Sequence, residues 1–255
     1  MNEFKIEEYS RIPKLRKAIA FEGLPGIANV GKIAVDYLTK SLKSKKFLSI
    51  TSDYFPAVAY ITEKNSIQRA KVDFSYSRIK KHDFIFITGN SQPSSEPYSY
   101  IFARLILKWL AEHDVNTLIT TGGIGLLYLP QNPKVYCITN KRHLAKEFEH
   151  SGANTNAYGV VGSIAGATGL LTSLADEFKL DAASLLAETL ANPFYVGISS
   201  AKSLVEVLNE KYNLGIKKEE IEKEFKEPVD VDGLKDISPK TKQTESYKMD
   251  VNYIG

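Results

Sequence analysis

Residues Gly26 to Ile33 have the types and spacing of a phosphate-binding loop that lacks its metal ligand. Gly26, Gly31 and Lys32 follow the order G-x-x-x-x-G-K, and Ile33 stands where such a loop carries Ser or Thr. In a P-loop, backbone N–H groups surround the phosphates, the lysine reaches the outer phosphates and the hydroxyl binds Mg²⁺. The segment therefore has the outline of a nucleotide motif without its metal chemistry.

A nucleotide-hydrolysing P-loop protein also needs an aspartate at the end of another strand, where it helps to hold Mg²⁺. The apolar runs at 84–87, 118–119 and 135–138 end instead in Thr, Gly and Asn residues. We therefore favour a tight strand-to-helix turn over a nucleotide site. In this interpretation Gly23 and Gly26 supply unusual backbone dihedrals, and Gly31 lets the helix pack closely.

Four glycine-bearing turns follow apolar runs, and loops at the carboxyl ends of strands gather at one edge of an open α/β sheet. They could form a pocket, but they contain no His, Cys or Arg, and their only acid is Glu22. The sequence thus offers no visible catalytic set. A phosphorylase-like enzyme or a nucleotide-binding protein is one alternative, and a pure self-assembly module is a second. The candidate ligand-binding residues are Glu22, Gly23, Gly26, Gly31, Asn90, Gln92, Gly122 and Gly123.

Neither a metal site nor a cofactor is predicted. The four histidines, at positions 82, 113, 143 and 150, lack the H-x-x-x-H spacing of a helical zinc site. Ser163 occupies the second position of Gly162-Ser163-Ile164-Ala165-Gly166, whereas a nucleophile elbow places Ser third. Cys137 lies in an apolar run, which indicates a buried thiol in a reducing compartment.

The composition is that of an ordinary globular protein, with 43% hydrophobic and 25% charged residues and a net charge of +3. Because the basic residues form no clear Arg and Lys cluster, nucleic-acid binding is not expected. The first 17 residues are polar and charged, unlike a signal peptide. No run approaches the roughly 20 apolar residues of a membrane span. We expect a cytoplasmic protein without a membrane partner.

Apolar strand-like runs alternate with helical periodicity, which predicts a three-layer α/β domain on a mostly parallel sheet. Residues 67–76 alternate as a single half-buried antiparallel strand would. We divide the chain into an α/β domain over 1–215, a charged C-terminal helix over 216–229 and a flexible tail over 230–255. The charges around Ile221 and Phe225 suit a solvated amphipathic helix or a coiled-coil fragment.

Several motifs, in order from about residue 18 to 212, resemble those of archaeal members of the proteasome assembly chaperone family, a group also called ATP-grasp superfamily proteins. They are Glu22-Gly23-Leu24-Pro25-Gly26-Ile27-Ala28-Asn29-Val30-Gly31, Thr88-Gly89-Asn90-Ser91-Gln92-Pro93, Thr121-Gly122-Gly123-Ile124-Gly125, Gly166-Ala167-Thr168-Gly169-Leu170-Leu171 and Ala187-Glu188-Thr189. Asn192-Pro193 departs from the family pattern, where Asp-Pro is usual.

This resemblance implies an α/β/α sandwich on a mixed sheet, like that of the purine nucleoside phosphorylases. It also implies a homo-oligomer with a chaperone role at the proteasome core particle or its α subunits, and no established catalysis. The ATP-grasp name finds no support in the sequence, which offers no acidic Mg²⁺ site with a matching lysine.

Some archaeal members of this family dock on the proteasome through a C-terminal hydrophobic-Tyr-any tripeptide. Here the chain ends Asn252-Tyr253-Ile254-Gly255, so the tyrosine is displaced by one position and follows a polar residue. Val251, Tyr253 and Ile254 still form an apolar group, and they are the candidate partner-binding residues of the tail.

Overall fold

The computed structural model describes residues 3–62 and 64–226. Its strands are β1 Phe4–Glu8, β2 Ala18–Gly23, β3 Lys45–Ser52, β4 Ala59–Ile61, β5 Ile67–Arg69, β6 Val72–Ile79, β7 His82–Gly89, β8 Val115–Leu126, β9 Val135–Thr139 and β10 Asp181–Leu190. Its helices are α1 Val30–Ser41, α2 Glu96–Glu112, α3 Arg142–His150, α4 Gly166–Leu174, α5 Ile198–Tyr212 and α6 Lys218–Glu224. Short 3₁₀ turns cover Ile27–Asn29 and Ala175–Phe178.

Eight of these strands form one mixed sheet in the order β1-β3-β6-β7-β2-β8-β10-β9. The central strands β7, β2, β8 and β10 are parallel neighbours, whereas β6 and β9 pair antiparallel with β7 and β10. Strands β4 and β5 form a separate two-stranded hairpin. The sequence-based prediction of an α/β fold on a mixed sheet is confirmed, while the specific likeness to nucleoside phosphorylases stays a prediction.

Helices cover both faces of the sheet, because its central strands are apolar on both sides. On one face α2 and α4 pack against side chains such as Leu118 and Ile85. On the other, α1, α3, α5 and α6 pack against Phe21, Ile119 and their neighbours. None of the helices within the described ranges combines the length and the apolar character that a bilayer crossing requires.

Two local features differ from the sequence prediction. The alternating segment 67–76 is divided between β5 and β6 because Asn90 takes the place of a strand partner at Lys71. The Lys71 N–H donates to Asn90 Oδ1 at 2.8 Å, and the Asn90 N–H donates to the Lys71 carbonyl at 3.2 Å. The N-terminus, whose first 17 residues are polar and charged, contributes β1, and its buried Phe4 packs against the rings of Phe55 and Phe102.

The charged C-terminal segment does contain a helix, α6, but that helix is not solvated on every side. Ile221 and Phe225 are buried in the same cluster as α1. The Phe225 ring meets Tyr37 of α1 edge-on, with centroids 4.9 Å apart, and Lys40 of α1 forms an ion pair with Glu224 at 3.1 Å. The helix therefore completes the core on this face. The boundary at residue 215 stays a prediction, and the tail 230–255 lies outside the described residues.

If α6 is part of the folded domain, Phe225→Ala should lower its free energy of unfolding by about 3 kcal/mol, as for other buried Phe→Ala changes. The matched control is Glu219→Ala on the exposed side of the same helix, which should cost less than about 0.5 kcal/mol. Urea unfolding followed by circular dichroism measures both. Equal, negligible effects would show that α6 contributes nothing to the domain.

Candidate functional site

The carboxyl ends of β2, β7 and β8 meet at one edge of the sheet, as parallel neighbours must. In register, Gly23 lies beside Thr88, and Glu22 lies beside both Ile87 and Thr120. The turns that follow these strands therefore come together as predicted. We call this region the glycine edge, defined by Glu22–Gly31, Gly89–Gln92, Thr121–Gly123 and Gly166–Thr168.

The glycines here permit backbone to touch backbone. A Cβ on Gly31 would lie 2.2 Å from the Thr121 carbonyl oxygen, and one on Gly23 would lie 2.4 Å from the Gly31 carbonyl oxygen. A Cβ on Gly123 would approach the Ile27 carbonyl oxygen to 2.8 Å. Real Cβ atoms do not come so close to a backbone oxygen. The first turn of α1 is therefore pressed directly onto the end of β8, as the close-packing role proposed for Gly31 requires.

The prediction that Gly23 and Gly26 supply unusual dihedrals is wrong. Gly26 is extended, with φ of −162°, and the left-handed residues are Ala28 and Asn29, with φ of 50° and 53°. A short polar side chain tolerates this conformation in Asn29, and the Gly197 N–H donates to the carbonyl of Ala28 at 2.9 Å. This hydrogen bond from the loop before α5 thus helps to hold Ala28 and Asn29 in their left-handed conformation.

Three groups that a P-loop would direct toward phosphate are bonded within the protein instead. The Asn29 N–H donates to the Gly26 carbonyl at 3.0 Å, and the Val30 N–H donates to the Ile27 carbonyl. Lys32 pairs with Asp36, one turn further along α1. The G-x-x-x-x-G-K segment is therefore built as a packed turn, which matches the interpretation favoured from its sequence.

Gln92 bridges two sides of the glycine edge. Its Nε2 donates to the Pro25 carbonyl at 2.8 Å, and its Oε1 accepts from the Ala167 N–H, also at 2.8 Å. A Cβ on Gly166, whose φ is +71°, would lie 2.9 Å from Gln92 Oε1. The amide thus ties the turn after β2 to the first turn of α4 and occupies the space between them.

Asn90 ties the glycine edge to the β4–β5 hairpin. Besides its bonds to Lys71, its carbonyl accepts from Tyr60 Oη at 2.6 Å, and its Nδ2 donates to the Arg69 carbonyl at 3.4 Å. Of the predicted residues, Glu22, Gly23, Gly31, Gln92 and Gly123 form one packed group, whereas Asn90 belongs to its margin. Whether any of them binds a ligand stays a prediction.

Glu22 is fully buried with no cation among its hydrogen-bond partners. Its Oε1 accepts from the Leu24 N–H at 3.1 Å, and its Oε2 lies 3.4 Å from Thr168 Oγ1, which is also 3.4 Å from the Thr121 carbonyl. Burial raises the pKa of Glu22 to about 7, although these hydrogen bonds oppose the shift. When Glu22 is protonated, its Oε2–H can form a hydrogen bond to Thr168 Oγ1. The Thr168 hydroxyl can then donate its own proton to the Thr121 carbonyl.

Sequence reasoning missed the hydroxyl groups beside Glu22. Thr120, Thr172 and Ser184 form a triangle of hydrogen bonds of 2.8–2.9 Å that joins β8, α4 and β10. Thr121 Oγ1 donates to the Glu22 carbonyl at 2.8 Å. The available signal was the Thr-Thr pair within an otherwise apolar strand, because buried hydroxyls need partners. This network gives each of the buried hydroxyls a partner and joins the strands of the edge to α4.

The other candidates for chemistry lie apart from the glycine edge. Cys137 is buried in β9, as expected, and burial raises the pKa of its thiol to about 12, which keeps it protonated. His143 faces Asp181 at 3.3 Å near the protein surface. Within residues 3–62 and 64–226, no group of three His, Cys, Asp or Glu side chains is placed to hold a metal ion. Val251, Tyr253 and Ile254 lie outside the described residues.

The fold and this edge define a three-layer α/β protein whose enzyme-like turns pack against one another. Residues 20–228 match the PAC2 family. The chain belongs to the PAC2 family. Among curated relatives, uncharacterized protein MJ1210 of Methanocaldococcus jannaschii is 29% identical, and the match covers 96% of this chain and 95% of that protein.

Two solved structures from Pyrococcus furiosus have a similar fold. Pyrococcus furiosus PbaB, described as an archaeal proteasome activator, is 27% identical with a TM-score of 0.79, over 88% of this chain and 95% of that one. P. furiosus PbaA, described as an archaeal homolog of proteasome-assembly chaperone, is 25% identical with a TM-score of 0.70, over 87% and 91%. The sequence-based recognition of the proteasome assembly chaperone family is confirmed.

Gly31→Ala should destabilise the protein, because its Cβ would clash with the Thr121 carbonyl and the backbone would have to move. We expect a loss of about 2–3 kcal/mol or more in the free energy of unfolding. Gly26→Ala is the matched control, since nothing lies within 4 Å of a Cβ there and its backbone is extended; it should change stability by less than about 1 kcal/mol. Equal values in chemical denaturation would contradict this account.

Glu22→Gln should change how stability depends on pH. The folded protein keeps a proton on Glu22 that the unfolded chain releases, so the wild type loses stability as pH rises from about 4.5 through about 7, by about 3 kcal/mol in all. Glutamine is neutral and can donate from Nε2 to Thr168. The variant should match the wild type near pH 4.5 and exceed it at pH 8. Parallel stability curves from pH 4.5 to 8 would refute a proton held by Glu22.

Proposed function

We propose that this protein is a non-enzymatic, homo-oligomeric chaperone or regulator that binds the proteasome core particle and assists its assembly. The observation that carries this proposal is the likeness to PbaB, described as a proteasome activator, over 88% of the chain. The likeness to PbaA, described as a homolog of proteasome-assembly chaperone, supports the same partner. The α subunits of the core particle are the proposed contact, in the cytoplasm.

The packing of the glycine edge supports a binding role over a catalytic one. Phosphoryl transfer or phosphorolysis needs free donors or cations that hold phosphate, together with a base in reach of the reacting group. At this edge Lys32 pairs with Asp36, and the Asn29 and Val30 N–H groups bond within their own turn. Gln92 occupies the space between two turns. These contacts weigh against the phosphorylase-like alternative.

The C-terminal residues Val251, Tyr253 and Ile254 are the proposed docking element. An apolar group at a chain end can insert into a pocket of a partner, and an aromatic anchor supplies much of the binding energy in such contacts. Tyr253 stands one residue away from its place in the family's tripeptide. A tail contact is therefore proposed separately from the proteasome partner itself.

The test is capture of the source organism's core particle by the full chain and by a variant that lacks Tyr253-Ile254-Gly255. We expect the full chain to retain the core particle and the truncated chain to retain at least tenfold less, the effect of losing one strong anchor. The matched control is Asn252→Ala, which keeps the length and the apolar residues of the tail. Circular dichroism confirms that each variant is folded.

Each outcome of the capture experiment has a separate meaning. Equal capture by all variants would contradict tail docking and place the contact on the folded domain. No capture by any of them, including the full chain, would contradict the proteasome proposal. Turnover of a nucleoside with phosphate by the purified protein would contradict the non-enzymatic role, whatever the capture shows.

A further inference from the structure

Three segments that carry no charged residue converge next to the glycine edge. Residues 115–133, 151–175 and 189–201 contain no Asp, Glu, Lys, Arg or His, although a quarter of the whole chain is charged. They comprise β8 with the loop that follows it, the segment that leads into α4, and the end of β10 with the loop that leads into α5. Buried strands explain part of this pattern, but the loops themselves are exposed.

These loops expose large apolar side chains to an unusual degree. Tyr158 is 98% exposed, Phe194 92% and Leu127 89%, and Tyr128, Val160 and Val196 are also exposed. Single exposed hydrophobic residues are normal on protein surfaces, but a contiguous group of them marks an interaction site. We call these six residues the uncharged face.

Backbone and core contacts hold the loops of this face next to one another. Leu126 pairs with Leu190 at the ends of β8 and β10, and the Ala191 N–H donates to the Leu126 carbonyl at 2.8 Å. Leu127 and Phe194 therefore extend from adjacent strand ends. Below them Tyr136 and Ile124 are buried against Ala157, Val161 and Ile164, which anchors the segment that carries Tyr158 and Val160.

The area of the uncharged face is suited to a stable contact between proteins. An aromatic side chain contributes roughly 150–250 Å² when it becomes buried, so Tyr128, Tyr158 and Phe194 with three aliphatic neighbours can supply roughly 600–800 Å². A standard interface buries about 800 Å² on each partner. These six uncharged residues thus provide most of one side of such an interface. The charge beside them is the Glu188 carboxylate, which accepts from Tyr136 Oη at 3.2 Å and from the Lys134 N–H at 3.1 Å.

We propose that the uncharged face is where a second copy of this chain docks. The argument rests on composition: interfaces between identical subunits are more apolar than transient ones and are depleted of charge at their centre. A face without charge can also meet an identical copy of itself with no like-charge repulsion. The inference rests on the homo-oligomeric part of the proposed function and assigns its surface.

The tip of the β4–β5 hairpin offers a comparison. There Ile61 and Ile67 are cross-strand partners, 80% and 81% exposed. Charged residues surround them, however, with Lys64 in the turn and the Arg69–Asp53 ion pair at the base. This tip is small and bordered by charge, so it serves as a control of similar exposure outside the proposed interface.

The test measures the mass of the purified protein in solution without any proteasome, by light scattering or sedimentation at micromolar concentration. We expect the wild type to exceed the 28.4 kDa of one chain. Phe194→Glu and, independently, Leu127→Glu should raise the dissociation constant at least thirtyfold, as loss of a central anchor does. Ile67→Glu should leave the mass unchanged. Both mutated positions are exposed, so the variants should keep the wild-type circular dichroism spectrum.

Three results would overturn the inference: a wild type that is monomeric at these concentrations, Phe194→Glu and Leu127→Glu variants that keep the wild-type mass, or a hairpin variant that dissociates while those two do not. Core-particle capture is measured separately on the same samples. A protein that captures the core particle as a monomer refutes the uncharged face as an oligomer contact and leaves proteasome binding intact. Dissociation by Phe194→Glu with no capture by any form supports the face and refutes the proteasome proposal.

Discussion

The approach of α1 to the end of β8 is the constraint on which the rest of the glycine edge depends. Because Gly31 lies against the Thr121 carbonyl, any side chain at that position would force the backbone to move. The same approach places Gly23 against the Gly31 carbonyl oxygen and Gly123 against the Ile27 carbonyl oxygen, so neither position has room for a Cβ. The turn between β2 and α1 must then be short, and its two left-handed residues, Ala28 and Asn29, accommodate the change of direction. Glycine spacing that resembles a nucleotide motif thus follows from packing.

Burial gives the edge its electrostatic character. The carboxyl group of Glu22 is buried with no cation among its hydrogen-bond partners, so its charged form is costly. Its neutral form can form hydrogen bonds with Thr168 and, through it, with the Thr121 carbonyl. A carboxyl with a pKa near neutrality is often a sign of an active site. Here burial causes the shift, and the hydrogen bonds from the Leu24 N–H and the Thr168 hydroxyl, through which the carboxyl links β2 to α4, oppose it.

The sequence was sufficient for features that depend on local pattern, and insufficient for those set by distant contacts. Continuous apolar runs predicted the central parallel strands. The division of 67–76 was not predictable, because it depends on Asn90 from another strand end. The burial of Phe225 needed Tyr37 of α1 as its partner. Positive φ at Ala28 was likewise unpredictable, since alanine carries no preference for that conformation.

An α/β sheet gathers its loops at the carboxyl edge, and in many proteins of this class the resulting crevice holds a small ligand. Here, backbone contacts and the amide of Gln92 occupy the central part of the edge. The apolar surface that a partner could bury is then in the loops around the centre, where Tyr158, Phe194 and Leu127 are exposed. Apolar area in that position favours a flat partner, such as another protein, over a small molecule, which needs a concave site to be enclosed. An edge whose centre is filled by backbone and by Gln92 thus leaves its exposed apolar area in the surrounding loops.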